Sequence, residues 1–318
     1  MVKIPVVAVV GPTASGKSSL GIELCKKLSG EVVSADSMQI YKKIAIATAK
    51  PTVCDMQGIA HHLVGIIEPE DSFSVVQFCS LAGDCINQII KRGNVPIVVG
   101  GTGLYVDALL DNMEFPKAKS DAVLRESLRL KADSQGTQVL YDELMQIDCE
   151  TAEKIHPNDT GRIVRALELY FTSGEKPSFH KHLSKLQPSP YIPVIIGLNY
   201  RNRQLLYNRI DSRIDKMVEN GLLEEANMFH KTYQSGTSQQ AIGYKELFPY
   251  FEGKIKLEEA LGKLKRETRR YAKRQLTWFN KNEHVHWLYV DDYLTQVEII
   301  VEAIRVIDES EVLRGEMK

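Results

Sequence analysis

Gly11, Pro12, Thr13, Ala14, Ser15, Gly16, Lys17 and Ser18 have the types and the spacing to hold phosphate. The glycines let backbone N–H groups turn inward around anionic oxygens. Lys17 would add a point charge, and the Ser18 hydroxyl would complete the shell of a Mg²⁺ ion. The alternative is a glycine turn before an ordinary helix. The flanks argue against it: Val6–Val10 is a short apolar run of strand type, and Leu20, Ile22, Leu24 and Leu28 continue as a helix. Strand, glycine loop and helix together make a phosphate-binding P-loop, with the positive end of the helix dipole at the ligand. The stretch points to a di- or triphosphate.

Two further strand ends carry chemistry. Val32-Val33-Ser34-Ala35 runs into Asp36, which puts a carboxylate at the carboxyl edge of the sheet, where open α/β folds place their ligands. Asp36 could assist a metal, act as a general base, or simply cap a turn. Val95–Val99 runs into Gly100, Gly101, Thr102 and Gly103, with no aspartate where many P-loop NTPases hold a metal-orienting carboxylate. Thr102 occupies that edge instead, so the site is less obviously built for nucleotide hydrolysis.

Arg209 and Arg213 belong to a helical stretch from Arg203 to Asn220 whose apolar stripe is Leu206, Ile210, Ile214 and Met217. Arg213 falls at the edge of the stripe and Arg209 one turn back beside it. A guanidinium there needs an anionic partner, either a ligand diphosphate or a local Asp211, Asp215 or Glu219; snorkelling of its stem is the other option.

The elements that must position these groups follow from the patterning. Runs of β type at 6–10, 31–35, 95–99, 194–198 and 284–289 alternate with helical periods, which predicts an α/β fold: a P-loop NTPase-like core with a parallel sheet. Between 119 and 175 only helices are expected: one from Asp121 to Gly136, one through Val139, Leu140 and Leu144, and one from Thr160 to Phe171 closed by Gly174; Pro177, Pro188 and Pro190 then punctuate the return to the strand at 194–198. The predicted division is thus a core from 1–118 and 191–318, interrupted by an all-helical insertion at 119–190. On the helix from Thr160, Ile163, Leu167, Tyr170 and Phe171 should share a face opposite Arg162 and Arg165. A later helix, 263–278, should bury Leu264, Thr268, Tyr271, Gln275 and Trp278. Lys265, Arg266, Arg269, Arg270, Lys273 and Arg274 would fan over its other side as a solvated face or a local RNA surface.

The chain has 318 residues, 43% hydrophobic and 25% charged, an ordinary globular composition. A net charge of −1 confines any nucleic-acid site to a local patch. Five scattered cysteines, odd in number and without C-x-x-C spacing, suit free thiols in a reducing compartment. With no signal-like or membrane-spanning run, a cytoplasmic protein is expected, and a monomer.

In chain order the segments GPTASGKS (11–18), ADSMQIY (35–41), TAKPT (48–52), HHLVG (61–65), VVGGTGLYV (98–106), IHPNDTGRIVRALE (155–168), AIGYKE (241–246) and AKRQLTWF (272–279) resemble the bacterial tRNA dimethylallyltransferases, also called tRNA isopentenyltransferases. The likeness runs to about residue 290. Ser18 replaces a usual threonine and keeps the hydroxyl; Ile46-Ala47 stand where a glycine is usual. The resemblance implies transfer of a dimethylallyl group from dimethylallyl diphosphate to the exocyclic amine of the adenosine beside the anticodon of tRNA. It implies Asp36 as general base and Thr102 hydrogen-bonding near the same amine. It also gives Asp36, Ser37, Met38 and Gln39 as the receivers of an extruded base, and assigns tRNA contact to Arg125 and to Gly161, Arg162, Ile163, Val164 and Arg165. Lys273 and Arg274 join the RNA surface from the basic helix. In this reading the P-loop and Mg²⁺ grip a leaving group rather than ATP. A small-molecule kinase, or a non-catalytic nucleotide or RNA-binding protein, is the alternative from residue patterns alone.

Overall fold

The computed structural model describes residues 3–116, 121–184, 187–233 and 237–313. Six strands make one wholly parallel sheet: β1 (Ile4–Val10), β2 (Gly30–Ser34), β3 (His61–His62), β4 (Val95–Gly100), β5 (Tyr191–Asn199) and β6 (Val285–Tyr289). Their order is β3-β2-β4-β1-β5-β6. Five were expected; β3, two residues long, has too little sequence to give a pattern.

The central strands β1, β4 and β5 are largely apolar because both faces are covered. The side-chain period of two divides each strand between two cores: Val6, Ala8 and Val10 of β1 face one, Val7 and Val9 the other. Helices α1 (Lys17–Leu28) and α14 (Gln296–Glu309) supply Leu20, Leu24, Ile299 and Ala303 to the second core. The first is closed by α3 (Val75–Lys91), α4 (Gly103–Leu110), α10 (Arg203–Glu219), α11 (Leu222–Thr232) and α13 (Leu257–Phe279). Two single-turn helices, α2 (Val53–Met56) and α12 (Phe248–Phe251), lie in the connections.

The chain divides into two compact units, 1–110 with 190–318, and 111–189. The expected junction at 118/119 lies outside the described residues. The second unit is helical: α5 (Ala122–Gln135), α6 (Thr137–Ile147), α7 (Cys149–Ala152), α8 (Thr160–Ser173) and α9 (Pro177–Leu183). Its core holds Leu128, Leu140, Leu144, Ile163, Val164 and Leu167. Phe171, expected on that apolar face, is instead 46% exposed, with its ring edge against Tyr170. Among the described residues no helix is long and apolar enough to cross a membrane.

Candidate active site

Because every strand is parallel, the carboxyl ends of β1, β2 and β4 lie along one edge. The P-loop leaves β1 there, Asp36 follows β2, and Gly101-Thr102 follow β4. The edges are pressed together: a Cβ on Gly100 would meet the Ala35 carbonyl at 2.2 Å, so only glycine fits. Gly16, at φ 100°, turns the loop into α1 in a conformation that side chains disfavour.

Inside the loop, Lys17 Nζ donates to the Pro12 carbonyl at 2.6 Å. Burial pushes its ammonium down to about 7; Arg213 adds to the effect and Asp36 opposes it. Ser15 buries its hydroxyl without a partner. Arg209 and Arg213 of α10 both reach the loop. Arg209, though exposed, donates from Nε to the Ala14 carbonyl at 3.0 Å, and Arg213 Nη1 lies 3.5 Å from Thr13 Oγ1. Two of their three local rivals are engaged elsewhere: Asp211 binds Arg269 at 2.7 Å and Asp215 binds Lys265 at 2.6 Å.

Asp36 Oδ1 accepts from the amides of Met38 (2.9 Å) and Gln39 (3.2 Å). Those two bonds fix the carboxylate through Oδ1. Thr102 Oγ1 accepts from the Ser37 amide at 3.1 Å and contacts its hydroxyl at 3.4 Å. Gln39 Nε2 donates to the carbonyls of Thr48 and Ala49, 3.2 Å each.

Two cavities meet here. A larger one of about 240 Å³ is lined by the polar Asp36, Arg213, Tyr271 and Arg274 and by the apolar Met38, Ile210, Ile214, Met217, Leu222 and Leu264. A smaller one of about 80 Å³ touches Lys17, Ser18, Asp36, His61 and Gln275. Thr13, Asp36, Arg213 and Tyr271 line both. On the outer side of the P-loop an open groove of about 760 Å³ passes Ser18, Arg209 and Lys216.

Sequence reasoning missed three supporting groups. Gln275 is buried, its Oε1 accepting from the Thr13 amide at 2.8 Å and its Nε2 donating to the Gly101 carbonyl at 2.9 Å. The signal was a polar residue on a core stripe. Tyr271, one turn earlier, has its hydroxyl pushed well above the usual phenol range, first by burial and then by Asp36, so it stays a proton donor. Glu225 accepts from three successive amides, Ala45, Ile46 and Ala47, and from the Tyr244 hydroxyl. No local pattern announces that.

The basic helix is corrected in two respects. Trp278, expected in the core, is 36% exposed and donates from Nε1 to Asp107 at 2.7 Å; Ala272, Leu276 and Phe279 are buried instead. Lys265 and Arg269 pair with α10, so the free-facing arc narrows to residues such as Lys273 and Arg274, both exposed. In the helical unit, Ile163 and Val164 are buried, so their side chains pack rather than touch a partner. Arg125 (2.9 Å) and Arg165 (2.8 Å) both bind the fully buried Glu168, and Arg162 lies 3.4 Å from Asp159. Burial alone would raise the Glu168 carboxyl, but the hydrogen bonds from Arg125 and Arg165 bring it below its ordinary value.

Comparison with known proteins gives a consistent result. The IPP transferase family matches residues 39–282, and an isopentenyl transferase family matches residues 4–73. A tRNA dimethylallyltransferase of Caldanaerobacter subterraneus is 48% identical, over 93% of this chain and 95% of its own. One from Bacillus subtilis is 46% identical over 90% of each. The crystal structure of a full-length tRNA isopentenylpyrophosphate transferase from Bacillus halodurans is similar with a TM-score of 0.72 and 41% identity, covering 98% of this chain and all of that one. A eukaryotic dimethylallyltransferase captured acting on tRNA gives a TM-score of 0.81 at 30% identity, covering 98% of this chain and 80% of that one.

Proposed function

This chain belongs to the IPP transferase family of tRNA-modifying prenyltransferases, and from that premise we propose that it takes its dimethylallyl group from dimethylallyl diphosphate. The acceptor is the exocyclic amine of the adenosine beside the anticodon, and diphosphate is released. The observation that carries this reading is Asp36, a fixed carboxylate lining both cavities between the P-loop and an apolar recess.

An adenine amine is a poor nucleophile because its lone pair is delocalised into the ring. As the new N–C bond forms, its proton must leave, and Asp36 is the carboxylate placed to accept it. Thr102, tied to Ser37 on the same edge, would hydrogen-bond near that amine. On the donor side the C–O bond breaks and charge collects on the diphosphate. The loop amides, Lys17, Arg213 and Arg209 stabilise that charge. The five-carbon tail suits the recess of Ile210, Ile214, Met217 and Leu222.

Mg²⁺ fits the same place. Ser18 offers a hard oxygen at the start of α1 beside Lys17. Among the described residues no group of three or more His, Cys, Asp or Glu could hold a metal, so the remaining ligands would be diphosphate oxygens and water. When bound, the ion would neutralise charge on the leaving group.

The glycine edge after β4 carries no carboxylate for a nucleotide's metal, which weighs against a kinase. We place the reaction in the cytoplasm, a setting supported by five free cysteines.

The test is Asp36→Asn with labelled dimethylallyl diphosphate and unmodified tRNA. Transfer should fall by roughly 10² or more while diphosphate affinity stays within a few fold. A collapse of affinity instead would make Asp36 a metal partner and not a base.

A further inference from the structure

Gln275 is only 5% exposed, on the core-facing stripe of α13, where a polar side chain must justify its burial by hydrogen bonds. Both ends of its amide go to loops of the site. Oε1 takes the Thr13 amide of the P-loop, and Nε2 gives to the Gly101 carbonyl, next to Thr102. No other bond joins these two loops through a side chain among the described hydrogen bonds. The fit is close: a Cβ added to Gly101 would stand 2.1 Å from Nε2. A carboxamide is the one side chain of this length that offers an acceptor and a donor at fixed separation.

We propose that Gln275 is a positioning residue that sets the separation between the loop holding the diphosphate and the edge receiving the RNA base, so that the allylic carbon meets the amine and not water. The inference rests on the donor and acceptor proposed above. In productive transfer the C–O bond to diphosphate breaks, the diphosphate keeps the electron pair, the amine nitrogen bonds the allylic carbon, and its proton passes to Asp36. In the competing reaction a water oxygen bonds the same carbon, a water proton passes to Asp36 or solvent, and dimethylallyl alcohol results. Each route consumes one donor and releases one diphosphate. Their ratio therefore reports alignment, whereas a loss of folded enzyme lowers both alike.

The experiment compares wild type with Gln275→Leu, Gln275→Glu and Gly101→Ala, using labelled dimethylallyl diphosphate and an unmodified tRNA transcript. Prenylated RNA and dimethylallyl alcohol are both quantified. Gln275→Leu removes both bonds; it should slow transfer about tenfold or more and raise the alcohol share, with donor KM within about threefold. Gln275→Glu keeps the bond from Thr13 and loses the one to Gly101, and should fall between. Gly101→Ala displaces Nε2 from the opposite side and should move the ratio in the same direction. An alcohol share unchanged across the variants overturns the proposal, whatever happens to the rates. If the leucine variant does not fold by thermal melting, the other two decide. Failure of the wild type to label tRNA would overturn the functional reading itself, a separate result.

Discussion

Lys17 gives the donor site a pH dependence whose sign can be worked out. Its ammonium is held down to about 7, chiefly by burial, so above that pH the empty site holds mostly the neutral amine, parked on the Pro12 carbonyl. A bound diphosphate favours the charged form. Binding above about pH 7 must then draw a proton from solvent, and affinity must decline as pH rises from there. Below about pH 6 the lysine is already charged and no proton is taken up. Calorimetry of diphosphate binding in two buffers of different ionisation enthalpy, between about pH 8 and 9 where the phosphates no longer titrate, should show that uptake. Lys17→Met should abolish it; a proton uptake that persists in the variant would exclude Lys17 as its source. The residue identity was legible in the sequence, but the shift was not, since Arg213 and Asp36 come from other segments.

At the scale of elements, Glu31 holds the start of β2. It receives a two-pronged bond from Arg92 beyond α3 (2.9 and 2.7 Å), one from Asn94, and a contact with His62 of β3. Those bonds, Arg92 first, hold its carboxyl down to about 2 despite burial. The folded-state value lies below the ordinary one. Its stabilisation is therefore complete above about pH 4.5 and is lost as pH falls towards 2. Glu31→Gln should cost about 1–3 kcal/mol near neutrality. Chemical denaturation curves of variant and wild type should converge over that acid window; a constant gap would refute the account. The same element shows what the sequence could convey. β4 is a nearly continuous apolar run and β2 is centred on Val32-Val33, so both were readable, whereas β3 exists only because its two residues pair with Val32 and Val33. Trp278 misled because a helix of 23 residues lets its stripe drift, so a spacing read from Leu264 no longer points at the core by its last turn.

For the whole molecule, the parallel sheet explains why a site can be assembled from residues as distant as Thr13 and Gln275, which are 262 positions apart yet bonded. The ends of β1, β2 and β4 each deliver a functional group to a common edge, so the groups carried there (Lys17, Asp36, Thr102) could be found from local motifs. Those arriving from the flanking helices (Gln275, Tyr271, Glu225) could not, because their meaning lies in contacts that local spacing does not encode. Arg213 stands between the two cases: its place on the stripe was readable, its partner was not.

Glu225 closes a circuit with a further implication. Its carboxylate sits on three consecutive amides, 45 to 47, much as a phosphate sits on the P-loop. A carboxylate of the chain's own thus occupies this amide cradle, whereas the P-loop is the one proposed for the donor's diphosphate. A free anion should bind at the P-loop alone. Titration with inorganic phosphate should saturate at one equivalent per chain and compete with the allylic donor. Glu225→Ala should open a second, weaker equivalent, and a phosphate stoichiometry left at one in that variant would show that the cradle collapses once its occupant is removed.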